Sequence, residues 1–172
     1  MSPTRVRGHV SAVRQNCRMA AWIKRSGAYV EWPEVEGRLR AARSGWLAST
    51  RPDGRPHVAP VWFVWNGREM HYQTSRRSRK GLNLAIQPWT VFHLGDGEDV
   101  LIAEGESLEV SDPNQLAEIR QRYGDKYVEP VTGERAPLGG SDDDVVYRLV
   151  PERILAWSYG NVASRTEWMP DL

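Results

Sequence analysis

Between Trp46 and Ser75 the chain alternates apolar and polar residues and is broken twice by short turn signals, Pro52-Asp53-Gly54 and Asn66-Gly67. Successive side chains of a strand point to opposite faces, so a run of period two with one apolar face is a half-buried strand. Asn-Gly between two such runs specifies a tight hairpin, and hairpins join antiparallel neighbours. Further strand-like runs follow: TVFHL after Pro88, then VLIAEGESLEV with a bend at Gly105, then VVYRLVPERILAWSYG with a turn near Pro151. Helical patterns are few. Pro33 to Ser44 has Pro in its first turn, Glu34 and Glu36 early, and Arg38, Arg40 and Arg43 late, with Gly45 as its stop. Asp112, Pro113 and Gln115 open another, with Leu116, Ile119 and Tyr123 on its buried side. A third begins near Thr74. Several hairpin-joined strands with short helices predict a mainly β fold, a closed or nearly closed antiparallel barrel of six or so strands.

The 172 residues fit one domain with a real core. The first thirty stand apart: Arg5, Arg7, Arg14, Arg18, Lys24 and Arg25 precede the first acid, Glu31. They read as a poorly ordered basic extension, residues 1–30, ahead of a domain at 31–172, and Met19 offers a shorter start. A net charge of +1 gives no global field toward nucleic acid or an acidic membrane. The single Cys17 excludes an intramolecular disulfide framework and a multi-cysteine zinc site. Lacking any membrane-length apolar run or signal-peptide core, the chain is expected to be cytoplasmic. His9, His57, His71 and His93 show no metal-ligand spacing, so no metal is expected. GxSxG, P-loop and post-strand GxGxxG motifs are absent.

The stretch TSRRSRKGLNL, Thr74 to Leu84, carries the chemistry. Thr74 or Ser75 suits an N-cap, with Ser78 helping. At helical spacing Arg76, Lys80 and Asn83 share a face with Arg79 beside them, while Leu82, Ala85 and Ile86 lie opposite, toward a sheet. Arg76, Arg77, Arg79 and Lys80 crowd the positive end of the helix dipole, where cations are disfavoured and a phosphate is favoured. A solvated basic turn is the plainer reading. In the preceding hairpin strand Pro56 and Pro60 interrupt the hydrogen-bond ladder, freeing N–H and C=O groups around Val58, Ala59, Pro60 and Val61. Those groups could read the edge of a flat heterocycle, and with the phosphate site they describe a flavin-type cofactor. An edge strand guarded by proline fits equally. No acid or base stands out as a catalyst.

The run WLASTRPDGRPHVAPVWFVWNGREMHYQTSRRSRKGLNL resembles the pyridoxamine 5′-phosphate oxidase-like family of FMN-binding split barrels, and within it the branch of flavin- or deazaflavin-dependent reductases. Trp32, Leu39, Trp157, Thr166 and Trp168 also fit, so the likeness spans roughly residues 32–168. The resemblance implies a Greek-key split barrel working as a homodimer with cofactor sites at the interface. It assigns Ser75, Arg79, Lys80 and Asn83 to phosphate, Val58–Val61 to the ring, and Trp157 to a ring wall. The implied activity is hydride transfer between FMN or coenzyme F420 and a small organic substrate. The alternative is a non-catalytic flavin- or haem-binding protein, haem ranking below the two flavins. The arginine–histidine pattern by which true pyridoxamine phosphate oxidases hold substrate is missing, so that activity is not expected. Relatives flank the final Trp with arginines, whereas this chain has Glu167 and Met169.

Overall fold

The structure is a computed structural model that describes residues 21–27, 30–158 and 165–171. Eight strands and three helices follow in the order β1 (Trp22–Ser26), α1 (Trp32–Ala41), β2 (Ser44–Thr50), β3 (Pro56–Trp65), β4 (Met70–Ser75), α2 (Arg79–Leu84), β5 (Trp89–Leu94), β6 (Asp99–Glu109), α3 (Pro113–Lys126), β7 (Asp144–Ser158) and β8 (Thr166–Pro170). The sheet runs β1-β8-β7-β4-β3-β2-β5-β6, and a further β6–β7 ladder closes six of the strands into an antiparallel barrel. The β4–β5 connection, which contains α2, passes both β3 and β2 before the chain rejoins the sheet, a Greek-key step. Six barrel strands match the expected number.

Two cores hold the fold. The barrel interior is filled by Leu47, Phe63, Met70, Tyr72, Phe92, Leu101, Leu149 and Ile154, with Val35 and Leu39 of α1 packed into it. Phe63 and Phe92 meet edge to face with centroids 4.8 Å apart. Gly45 makes that pair possible, since a Cβ there would lie 2.1 Å from the Phe92 ring. A second cluster lies outside the barrel, where Ile119, Tyr123 and Tyr127 cover Val64 of β3 and Val146 of β7. Asp112 caps α3 as expected, its carboxylate accepting from Asn114 N–H at 2.8 Å.

Three local expectations are corrected. Trp22–Ser26, inside the segment read as an extension, is a strand paired with β8, and Trp22 is buried. Its ring stacks on Trp32 at 4.9 Å and its indole N–H reaches Gly67 O at 3.2 Å, so apolar area anchors a stretch that lacks any period. The domain therefore takes in residues before 31; residues 1–20 lie outside the described chain. Gly45 does not stop α1, which ends at Ala41; it is a strand residue facing Phe92. No turn interrupts the last long strand at Pro151: β7 runs through it, and a bulge opposite Glu104 and Gly105 absorbs the bend.

Candidate functional site

The barrel is split along one edge of β3. From Pro56 to Trp62 that strand is registered only with β2, whereas its ladder with β4 is confined to Phe63–Tyr72, Val64–His71 and Trp65–Met70. β4 is paired with β7 along its whole length, and beyond Tyr72 with β7 alone, Gln73, Thr74 and Ser75 lying opposite Val146, Val145 and Asp144. Among the described residues no strand lies on the second edge of residues 56–62, and α2 packs nearby against β2, β3 and β4. Val58, Ala59, Pro60 and Val61 all lie on this edge. Their side chains alternate: Val58 and Pro60 face outward and exposed, while Ala59 is half-buried and Val61 is buried.

α2 begins later than expected. Ser78 is its N-cap, its hydroxyl accepting from Gly81 N–H at 3.1 Å and sitting 2.8 Å from the Thr74 hydroxyl. Thr74 and Ser75 belong to β4, and the Ser75 hydroxyl accepts from Arg77 N–H at 3.1 Å. A Cβ on Gly81 would come within 2.3 Å of Ser75 O, so the turn into α2 tolerates only glycine. The expected faces are reversed. Asn83 is fully buried, whereas Ile86 is 66% exposed and Leu82 is also exposed. The reason is a polar partner: Asn83 Nδ2 donates to Ser49 Oγ of β2 at 3.0 Å, and the amide is drawn inward.

The four cations also separate. Arg76 precedes α2 and grips Glu109, one of its bonds measuring 3.1 Å. Arg77 Nε lies 3.2 Å from Asp143. Among the described residues no ion pair involves Arg79 or Lys80, and burial pushes the Lys80 ammonium below its usual range. Arg76 is therefore committed to a carboxylate, while Arg79 and Lys80 are not. Beside them lie three buried polar atoms without hydrogen-bond partners: Asn83 Oδ1, Arg51 Nε and His57 Nδ1. Burial, and then the neighbouring Arg51, Lys80 and Arg79, hold His57 below the ordinary imidazole value of 6.5. Unmatched buried polar groups are costly, and their concentration beside uncompensated cations marks a place fitted to an anionic, hydrogen-bonding ligand.

Trp157 stands apart from this cluster within one subunit. It is half-buried opposite Val100, toward the end of β7 remote from Asp144, whose partner is Ser75. Arg51, His57 and Ser49 carry no motif that marks them as site residues. Hairpin arithmetic would have found them, because the turn at Pro52–Gly54 puts Ser49 opposite His57 and Arg51 N–H on Arg55 O. Among the described residues no group of His, Cys, Asp and Glu could hold a metal ion, and no helix is long and apolar enough to cross a membrane.

Comparison with curated proteins by sequence gives no match. Among solved structures, a conserved hypothetical protein from Mycobacterium tuberculosis superposes with a TM-score of 0.61 at 24% identity, covering 82% of this chain and 92% of its own. An F420 reductase superposes with a TM-score of 0.52 at 26% identity, over 69% of this chain and 94% of its own. HutZ, the haem storage protein of Vibrio cholerae, gives 0.59 at 22% identity, over 70% and 89%. The family model for pyridoxamine 5′-phosphate oxidase matches residues 32–158, which include the split edge of β3, α2 and all six strands of the closed barrel, and the chain belongs to that family.

Proposed function

We propose that the protein is an oxidoreductase that binds FMN or coenzyme F420 and transfers a hydride between it and a small organic substrate. The observation that carries this reading is the junction of an unpaired backbone edge, residues 56–62, with a cationic cluster whose buried polar atoms lack partners. Arg79 and Lys80, helped by Arg51, would hold the phosphate. The backbone at Val58–Val61 would take the polar rim of the ring, and Ser49 with Asn83 would meet the hydroxylated chain between. When bound, such a ring supplies the hydride chemistry, and the protein supplies orientation and exclusion of water. No titratable side chain lies on Val58–Val61, so the substrate's proton would come from solvent. The likeness to an F420 reductase supports the deazaflavin as one of the two cofactors.

A homodimer belongs to the same proposal. The outer face of β2, β3 and β5 presents Trp46 and Trp62, each 50% exposed, with Val58 at 54% and Trp89 beside them. An apolar sheet face of this kind fits a second copy of itself across a two-fold axis. The partner would then supply the second wall of a site that one barrel leaves open. Trp65 is buried against Trp22 and Trp32 and does not contribute.

Visible absorption of the purified protein, alone and titrated with FMN, coenzyme F420 and haem, tests the cofactor. Saturable binding of either flavin and turnover of a reduced one support the proposal; haem binding with neither flavin bound would replace it by the storage alternative. Sedimentation over a dilution series tests the dimer, which should lose cofactor as it dissociates.

A further inference from the structure

His57 sits opposite Ser49 in the β2–β3 ladder, on the inward-facing parity of β3 with Ala59 and Val61. Its buried Nδ1 has no partner, and neither has Arg51 Nε or Asn83 Oδ1. The charges that act on it come from two elements: Arg51 at the end of its own hairpin, and Arg79 and Lys80 of α2. Its cross-strand neighbour Ser49 is uncharged, and Asp53 in the adjoining turn is engaged by Arg55 at 2.7 Å. An imidazole among three cations with no carboxylate of its own stays neutral until negative charge arrives.

We propose that His57 couples ligand binding at this site to proton uptake: an incoming phosphate-type anion is received by the imidazolium, formed with one proton from solvent, together with Arg51, Arg79 and Lys80. The inference rests on the anion-site reading given above and extends it to the control of that site by pH. Only an N–H bond on His57 forms, and no electrons move. The sign follows from linkage. In the free protein His57 is held below 6.5 by burial and by the three cations. A dianion cancels their repulsion and raises the imidazole, so between the free and the bound value binding takes up a proton. Affinity there falls as pH rises, with a limiting slope of about tenfold per pH unit for one proton. Below the free value, and above the bound one, His57 gives no slope.

The test uses sulfate, which does not titrate in this range, beside FMN and coenzyme F420. Imidazole C–H resonances, assigned with His57→Gln, give the His57 pKa in the full chain without and with each anion. Calorimetry in two buffers of different ionisation enthalpy gives the protons taken up. The expected result is a raised His57 pKa and uptake approaching one proton, both abolished in His57→Gln while circular dichroism is unchanged. Lys80→Met should weaken binding yet keep the uptake. If the flavins bind and the His57 pKa stays where it was, the coupling is overturned and the flavin reading stands. If sulfate moves His57 but neither flavin binds, the coupling stands and the flavin reading fails. If sulfate and flavins all leave His57 unmoved and unbound, both are overturned.

Discussion

From Phe63 to Trp65, β3 is registered with β4, and at Phe63 side chains stand where a second strand would; from Pro56 to Trp62 it has β2 alone. In the closed part the Tyr127 hydroxyl accepts from Phe63 N–H at 2.8 Å and offers its proton to Arg43 O or Phe63 O, at 2.6 and 2.7 Å. Lys126 Nζ donates to Phe63 O at 3.0 Å and lies 4.4 Å from the Phe63 ring centre. In the open part, the neighbouring Asn83, Arg51 and His57 keep polar atoms unmatched. One strand thus carries a stretch whose second backbone edge is tied down by side chains, at Phe63, and a stretch whose second edge, among the described residues, meets no strand and lies beside unmatched polar atoms and unpaired cations. The division falls where the β3–β4 ladder ends, while β4 stays paired with β7 throughout.

Substitutions should separate the two stretches. The largest effect is expected in the closed one: Phe63→Ala removes a fully buried ring packed on Phe92 and should cost about 3–5 kcal/mol in urea unfolding. Lys80→Ala should weaken flavin affinity by about 1.5–3 kcal/mol, on the order of tenfold to a hundredfold, and leave the barrel folded. Unchanged affinity would remove Lys80 from the site and blur the contrast. The closed stretch also predicts a pH dependence. Burial, and then Arg43, push Lys126 down to about 8. An unfolded lysine titrates near 10.4, so the unfolded chain binds more protons in between and stability rises with pH from about 8 to about 10. Above about 10 the sign reverses, because Tyr127, raised to about 12 chiefly by burial, keeps a proton that the unfolded chain gives up. Thermal melts of Lys126→Met should lose part of the rise, the remainder belonging to Lys80, which burial shifts the same way. The smallest effect belongs to the open stretch: Val58→Ala, at a side chain 54% exposed, should change protomer stability by under about 0.5 kcal/mol. Any larger loss should vanish on dilution, as the proposed subunit contact on this face requires.

The barrel was legible because period-two alternation and hairpin turns are local signals, and the Asn66-Gly67 turn does join β3 to β4. The split was legible only by half. Pro56 and Pro60 mark β3 as an irregular strand, but where β4 parts from it is a matter of non-local pairing, with β7 beginning only at Asp144. The helical wheel failed at α2 because six residues are too few for period to decide a face. There a single bond from Asn83 to Ser49 outweighed the apolar pull of Leu82 and Ile86. Trp22 was missed for a related reason. Its partners Trp32 and Trp65 come from other elements, and no pattern within Met19–Ser26 announces them.

β7 pairs with β6 along its length, with β4 at its start and with β8 near its end. Before it docks, β4 and β6 each keep a bare edge, open to the edges of other molecules. Protection against edge-to-edge aggregation is therefore not accumulated strand by strand; it arrives with one late, non-local segment. Refolding yield should fall with protein concentration for as long as that segment is unplaced, and the bulge at Pro151 is part of what it must form to fit.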